Sequence, residues 1–417
     1  MQDRLRRLGL AFLAIALALA ATPVRAADPL KIGFSMPLTG GLAGGGKSAL
    51  LAIQMWAEDV NAKGGLLGRP VQLVFYDDQT NSSQVPAIYT KLLDIDKVDL
   101  VISAYGTNQI APAMPIVMAR NLVFMGLFGT GVNDNFHYDK YFQILPNGKE
   151  TRLGPSEGYL ETAMTMNPKP ETVALAAADA EYAQTVIAGA REIVKRLGLK
   201  VVYDKSYPPN TVDYAPIVRA IQAANPDVVY IASYPPDSVG MVRAASEVGL
   251  KPKMFGGGMI GLAFTPIKQQ LGPLLNGIVA YDVYVPEPTM KFPGIEEFLK
   301  RYQERAAAQG VDPLGYYLPP YAYAEMQIFA EAITHVGSLD QAKIAEFIHQ
   351  TAFKTIVGDV KFAENGEWEK PRILFVQYQG VEGSDIGQFR QPGKQVILYP
   401  PELKSGEFRY PYSDIKR

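Results

Sequence analysis

The 417-residue sequence contains no cysteine, three histidines and two tryptophans. Without cysteine there can be no disulfide, thiol nucleophile or thiolate metal site. An oxidising compartment is therefore tolerated without covalent staples, and stability must come from burial. His137, His335 and His349 are scattered with no partners at ligand spacing, so neither a metal centre nor a cofactor is expected. There is no G-x-S-x-G elbow, and no carboxylate pair is singled out by an apolar setting; the chain carries no sign of an enzyme. Beyond residue 21 no apolar run reaches the ~20 residues that a membrane span needs.

The one long apolar run comes first. Leu8 to Ala21 follows Arg4, Arg6 and Arg7 and precedes the small-x-small site Val24-Arg25-Ala26. This is the pattern of a cleaved secretory signal peptide, residues 1–26, and it places the mature protein in the periplasm of a cell with two membranes. Without Arg4, Arg6, Arg7, Arg25 and Asp3, the 40 basic and 42 acidic residues become 36 and 41, a net charge of −5. That balance argues against nucleic acid and anionic membrane surfaces as partners. The remaining chain, about 390 residues, exceeds what one core usually holds, so two domains are expected.

What is present is a regular alternation of strand and helix. Leu30–Met36, Val71–Tyr76 and Val98–Ala104 read as strands, with helices over Lys47–Asn61, 84–94 and 110–120 between and after them. The pattern pauses near Gln143–Asn147 and restarts. Strands are then expected at Thr172–Ala177, Leu199–Tyr203, Asp227–Ala232 and Lys253–Phe255, with helices near 181–197, 213–224 and 237–248. Amphipathic helices follow near 293–308, 320–335 and 339–350, and short strand-like runs close the chain. The fold class is α/β, with parallel sheets, and the two sets of units share an architecture without an obvious sequence repeat.

The stretch Val98–Pro112 organises this alternation. Its apolar run ends in Tyr105-Gly106-Thr107-Asn108, a polar turn entering a helix, where free backbone N–H groups and a threonine hydroxyl suit a small anion. A second turn of the same kind, Phe128-Gly129-Thr130-Gly131, follows the next apolar run. Two adjacent strands ending in Gly-Thr turns form one wall of a cleft. Gly41-Leu-Ala-Gly-Gly-Gly46-Lys47-Ser48 also satisfies the spacing of a nucleotide-binding P-loop, with Asp77 able to pose as a magnesium ligand. Export away from nucleotide pools, and the insertion of Pro37-Leu38-Thr39-Gly40 after the strand, favour a glycine-rich loop at a helix start facing a ligand.

From Lys31 to Asn135 the chain closely resembles the periplasmic branched-chain amino-acid-binding protein family of ABC importers. The resemblance rests on Ile32-Gly-Phe-Ser-Met-Pro-Leu-Thr-Gly40, Asp59-Val-Asn-Ala-Lys-Gly-Gly-Leu-Leu-Gly-Arg-Pro70, Phe75-Tyr-Asp-Asp78 and the two Gly-Thr turns. It continues through Asp227–Gly261 to Tyr321-Ala-Tyr323. It implies a type I periplasmic binding protein fold: two doubly wound parallel-sheet lobes, joined by three crossing strands near 147–151, 281–285 and 356–360. Lobe one would be 28–147 plus 285–356, and lobe two 148–284 plus 357–417. The implied role is a monomeric solute receptor that closes on a small-molecule ligand and docks on permease subunits in the inner membrane; a ligand-sensing receptor is the alternative.

The resemblance also assigns a site. The family's carboxylate-binding hydroxyls fall on Thr107 and Thr130, within the Gly106 and Gly129 turns and beside backbone groups of Phe128. Its lobe-two aromatic contacts fall on Tyr182 and Tyr234. Two departures stand out: the glutamate that holds an amino acid's ammonium is replaced within Gly256-Gly-Gly258-Met259, and an aromatic ring of the first loop is replaced by Gly44-Gly45. Carboxylate end kept, amine end lost and bulk removed at Gly45 and Gly258 together predict an enlarged pocket for an aromatic or other bulky apolar acid. Tyr105, Tyr182 and Tyr234 are then available to stack on a ring. Branched-chain or other amino acids remain the alternative ligands.

Overall fold

Largely apolar runs place β1 (Leu30–Met36), β2 (Val71–Asp77), β3 (Leu100–Tyr105), β4 (Phe124–Leu127) and β5 (Tyr141–Gln143) in one parallel sheet of order β2-β1-β3-β4-β5. The computed structural model describes residues 28–416, so the expected leader lies outside the described residues. A second sheet, of seven strands, follows. It is built from β6 (Thr172–Ala178), β7 (Lys200–Tyr207), β8 (Val228–Ala232), β9 (Met254–Gly257) and β10 (Val279–Asp282), with β13 (Leu374–Tyr378) and β14 (Gln395–Tyr399) added antiparallel at one edge. The hairpin β11 (Ala352–Thr355) and β12 (Gly358–Lys361) stands apart. No helix among the described residues is long and apolar enough to cross a membrane.

The helices follow their sequence signals. Glu181–Leu197 buries Tyr182, Ala183, Val186, Ile187, Ala190, Ile193 and Val194 at mixed three- and four-residue spacing. It stops at Gly198, whose φ of +73° suits a left-handed cap, with Lys195 and Arg196 in the last turn. Each buried Val or Ile on that face contributes about 1.5–3 kcal/mol of transfer free energy. Two differences from expectation bear on the cleft. The helix expected over 47–61 begins earlier and runs Ala43–Ala62. The helix expected over 110–120 is broken into Thr107–Ile110, a single turn Ala111–Ala113 and Met114–Met118, because Pro112 and Pro115 cannot donate backbone N–H groups.

Ile295–Gln309 and Pro319–Val336 pack on Ala43–Ala62, so the late helices return to the first sheet and form one lobe with it. The chain passes between the sheets at 144–153 and 283–294. The third passage falls later than 356–360. Gln143 donates its amide to the Gly366 carbonyl at 2.8 Å, Phe142 meets Phe362 edge to face, and the Asn133 side chain donates to the Asn365 carbonyl. Residues 357–368 therefore pack on the first sheet rather than in lobe two, and the chain leaves it only at 369–373, just before β13.

Candidate functional site

β3 is buried throughout and ends at Tyr105 because Gly106 has a φ of +95°, which L side chains rarely adopt. The chain turns directly into Thr107–Ile110, and the amides of Thr107 and Asn108 make no hydrogen bond among the described residues. Next to it, β4 ends at Leu127 and Phe128 is forced to a φ of +61°. That strained backbone is held by buried Gln143, whose Oε1 accepts the amides of Phe128 (3.0 Å) and Leu145 (3.1 Å). The two turns are then tied together: the Thr130 amide donates to Thr107 Oγ1 at 2.9 Å. Thr107 accepts there, leaving its own O–H to donate. Thr130 Oγ1 accepts a long bond from Asn147 Nδ2 at 3.5 Å, and its proton is likewise left for another acceptor.

The second lobe faces this wall with tyrosines. Tyr182, in the first turn of Glu181–Leu197, donates its hydroxyl to the Gly258 carbonyl at 3.2 Å, and its ring meets Tyr234 edge-on at 5.8 Å. Asn108 links the lobes: its Oδ1 accepts the Tyr182 amide (3.3 Å) and the Tyr234 hydroxyl (3.0 Å). Between the walls lies a cavity lined by Leu42, Tyr105, Gly106, Thr107, Asn108, Phe128, Thr130 and Leu145 on one side. Tyr182, Tyr234, Ile260 and Tyr281 line the other, and Tyr317 completes it. Water-sized solvent finds about 20 Å³ there, room for roughly one molecule. The lobes are thus closed upon each other, and a ligand enters only as they part or as the rings rotate.

Among the described residues no charged side chain lines this cavity. Behind Tyr234 stands Asp237, accepting the Tyr234 amide (3.3 Å) and the Tyr207 hydroxyl (3.1 Å), and burial raises its pKa. Burial also lifts the tyrosine hydroxyls of Tyr105, Tyr182, Tyr234, Tyr281 and Tyr317 well above their ordinary range, so all five act as neutral groups. A larger groove of about 930 Å³ runs past His137, Arg152 and Glu364, but it is a shallow solvent-facing surface without the strand-end donors.

Of the residues expected from sequence, Tyr105, Gly106, Thr107, Phe128, Thr130, Tyr182 and Tyr234 line one cavity. Gly129 packs behind it against Gln143, Tyr141 and Val132, and Met259 is fully buried beside it. Gly45 and Gly258 need correcting: neither leaves room. A Cβ on Gly45 would sit 2.7 Å from the Tyr105 ring and 2.8 Å from Leu318, and one on Gly258 2.8 Å from the Tyr230 hydroxyl. Neighbouring rings have filled the space that the missing side chains vacated. Gly256 and Gly257 are fixed by backbone, with φ of +145° and +114° and Cβ positions 1.9 Å from the Val279 carbonyl and 2.8 Å from Tyr230.

The glycine-rich motif also differs from its expected form. Gly44, Gly45 and Gly46 lie inside the first turn of Ala43–Ala62 rather than in a loop, and Gly46 packs so closely on the Pro37 carbonyl that a Cβ would fall 2.0 Å from it. Asp77 is occupied in accepting the amides of Leu38, Thr39 and Gln79 and the Thr39 hydroxyl. Sequence reading missed Asn108 as a bridge, Gln143 as the support of Phe128, and Leu42, Leu145, Ile260, Tyr281 and Tyr317 as lining. The only signal available was the polarity of Asn108 and Gln143 beside apolar strands.

Comparison with known proteins supplies the family. A model of the periplasmic binding protein family matches residues 29–380. A Leu/Ile/Val-binding protein homolog from Brucella abortus is 26% identical over 421 residues, covering 95% of this chain and 98% of its own. Among solved structures, a leucine-binding protein from Thermotoga maritima superposes with a TM-score of 0.72 at 21% identity, covering 84% of this chain and 96% of its own. A solute-binding protein from R. palustris in complex with 4-hydroxybenzoate gives 0.72 at 18% identity, with 89% and 95% coverage. The two-lobed parallel-sheet architecture, the strand-end cleft and the match over most of the chain agree, and the chain belongs to the periplasmic binding protein family, whose members are solute receptors rather than enzymes.

Proposed function

We propose that this protein is the periplasmic solute-binding component of an ABC importer and that its cleft takes an amine-free carboxylate with an aromatic or other bulky apolar body. One observation carries the ligand reading: strand-end donors line the cavity, and no carboxylate side chain does. A ligand carboxylate has the Thr107 and Thr130 hydroxyls and the free Thr107 and Asn108 amides to receive it. An amino acid's ammonium has only tyrosine hydroxyls and carbonyls, and burying a cation without an anionic partner costs several kcal/mol. Phe128, Tyr182, Tyr234, Tyr281 and Tyr317 offer a ring edges and faces.

The relatives' ligands do not choose between the readings, because a leucine-binding protein and a 4-hydroxybenzoate complex share this fold at equal TM-score. Branched-chain amino-acid binding is the second reading, favoured by the Leu/Ile/Val-binding homologs. We take the protein to act as a monomer whose closed form docks on membrane permease subunits. A thermal-shift panel of aromatic acids, aliphatic acids, amino acids and ATP–Mg tests the assignment. Aromatic acids at a hundredfold above Kd should stabilise the protein by about 2.7 kcal/mol, while stabilisation confined to leucine, isoleucine or valine would refute it.

A further inference from the structure

The Tyr105 hydroxyl is the least expected polar atom in the cleft. Tyr105 is 2% exposed, and its hydroxyl approaches that of Tyr317 without a hydrogen bond of normal geometry and has no other partner among the described residues. Its ring is seated deliberately. Gly45 lacks a side chain where the ring passes, and Leu318 and Phe264 close around the same point. A phenylalanine would fill that seat equally well without leaving a buried hydroxyl unpaired, which native interiors avoid. Tyr317 in turn meets Tyr281 at 6.3 Å between ring centroids, so three phenols, from both walls, line the cavity that the Thr107–Thr130 pair also lines.

We propose that Tyr105 is a specificity residue that hydrogen-bonds a second polar substituent on the ligand, so that the ligand class is hydroxylated aromatic carboxylates rather than simple ones. The inference rests on the carboxylate reading above and refines it. Thr107 and Thr130 hold the acid group, and the Tyr105 phenol, with Tyr317 beside it, meets a ring hydroxyl that can both donate and accept. A ligand bearing a methyl group at that position leaves the Tyr105 hydroxyl buried and unpaired, which is how a site built around a hydrogen bond rejects an isostere.

Calorimetry on the mature protein with benzoate and with the 3- and 4-hydroxy and 3- and 4-methyl benzoates tests this without any variant. One hydroxylated isomer should bind at least ~tenfold more tightly than its methyl counterpart. Tyr105→Phe, which keeps the ring and its packing, should bring that pair within ~twofold by lowering hydroxy-acid affinity while leaving methyl-acid affinity unchanged or improved. Equal binding of both isosteres to the wild type, or a preference that survives Tyr105→Phe, overturns the inference and leaves the carboxylate assignment standing. Binding of leucine with no binding of any benzoate overturns both.

Discussion

Replacing Asn108 by alanine should open the ligand-free molecule. The Asn108 Oδ1 atom accepts the Tyr182 amide at 3.3 Å and the Tyr234 hydroxyl at 3.0 Å, joining the first lobe to the second without any ligand. In an open form both donors turn to water, so each bond is worth its net value of about 0.5–1.5 kcal/mol. Their joint loss, about 1–3 kcal/mol, shifts the closed-to-open ratio ~5- to 150-fold. Small-angle scattering of the ligand-free protein should show a larger radius of gyration in Asn108→Ala than in wild type, and saturating ligand should bring the two together. Calorimetry should show the same fold-loss of affinity for every ligand, because the bond reports closure and not ligand chemistry. Unchanged scattering with unchanged affinity, or a loss confined to one ligand, would refute the reasoning.

Three further outcomes follow from the same geometry. Thr107→Val removes an O–H donor and strands the buried Thr130 amide; binding of an aromatic acid should weaken at least tenfold and stability should fall by about 1–3 kcal/mol, whereas Thr107→Ser should preserve both in calorimetry and denaturant unfolding. Glu325 is buried with both carboxylate oxygens unpartnered among the described residues, and burial raises its pKa well above the usual range. The folded protein therefore holds a proton that the unfolded chain releases above about pH 4.5, so stability should decline by about 1.4 kcal/mol per pH unit from there towards the raised value. Glu325→Gln should remove that slope, raising Tm at pH 8 and changing little below pH 4.5; equal effects at both would count against it. Gly258→Glu pushes its Cβ to 2.8 Å from the Tyr230 hydroxyl, which donates to the Pro155 carbonyl and accepts from Ser156. It should destabilise by about 1–3 kcal/mol and confer no leucine binding, as unfolding and titration would show.

How far the sequence could be read depended on the range of the physics. Helix boundaries such as Glu181–Leu197 are local, set by apolar spacing and a closing Gly198, and were legible. So were the strand-end turns at Gly106 and Gly129, where glycine, threonine and a preceding apolar run occur together. The space around Gly45 was not legible, because what fills it comes from Tyr105, Phe264 and Leu318, brought there only by the tertiary fold. The role of Asn108 depends on Tyr182 and Tyr234, 74 and 126 positions away. The third passage between sheets was placed too early because Gly366 and Asn365 bond to Gln143 and Asn133 across more than two hundred residues, a contact with no local signature.

The central claim is that this cleft receives a carboxylate and has nothing to receive an ammonium, and matched pairs differing only in that group test it most directly. Calorimetry should compare 3-phenylpropanoate with phenylalanine and 4-methylpentanoate with leucine on the mature protein. Each pair shares its carboxylate and its apolar body. A buried, unpaired ammonium costs several kcal/mol, so in whichever pair fits the cavity the amine-free acid should bind at least ~hundredfold more tightly. Tighter binding of leucine or phenylalanine than of its amine-free partner would contradict the account.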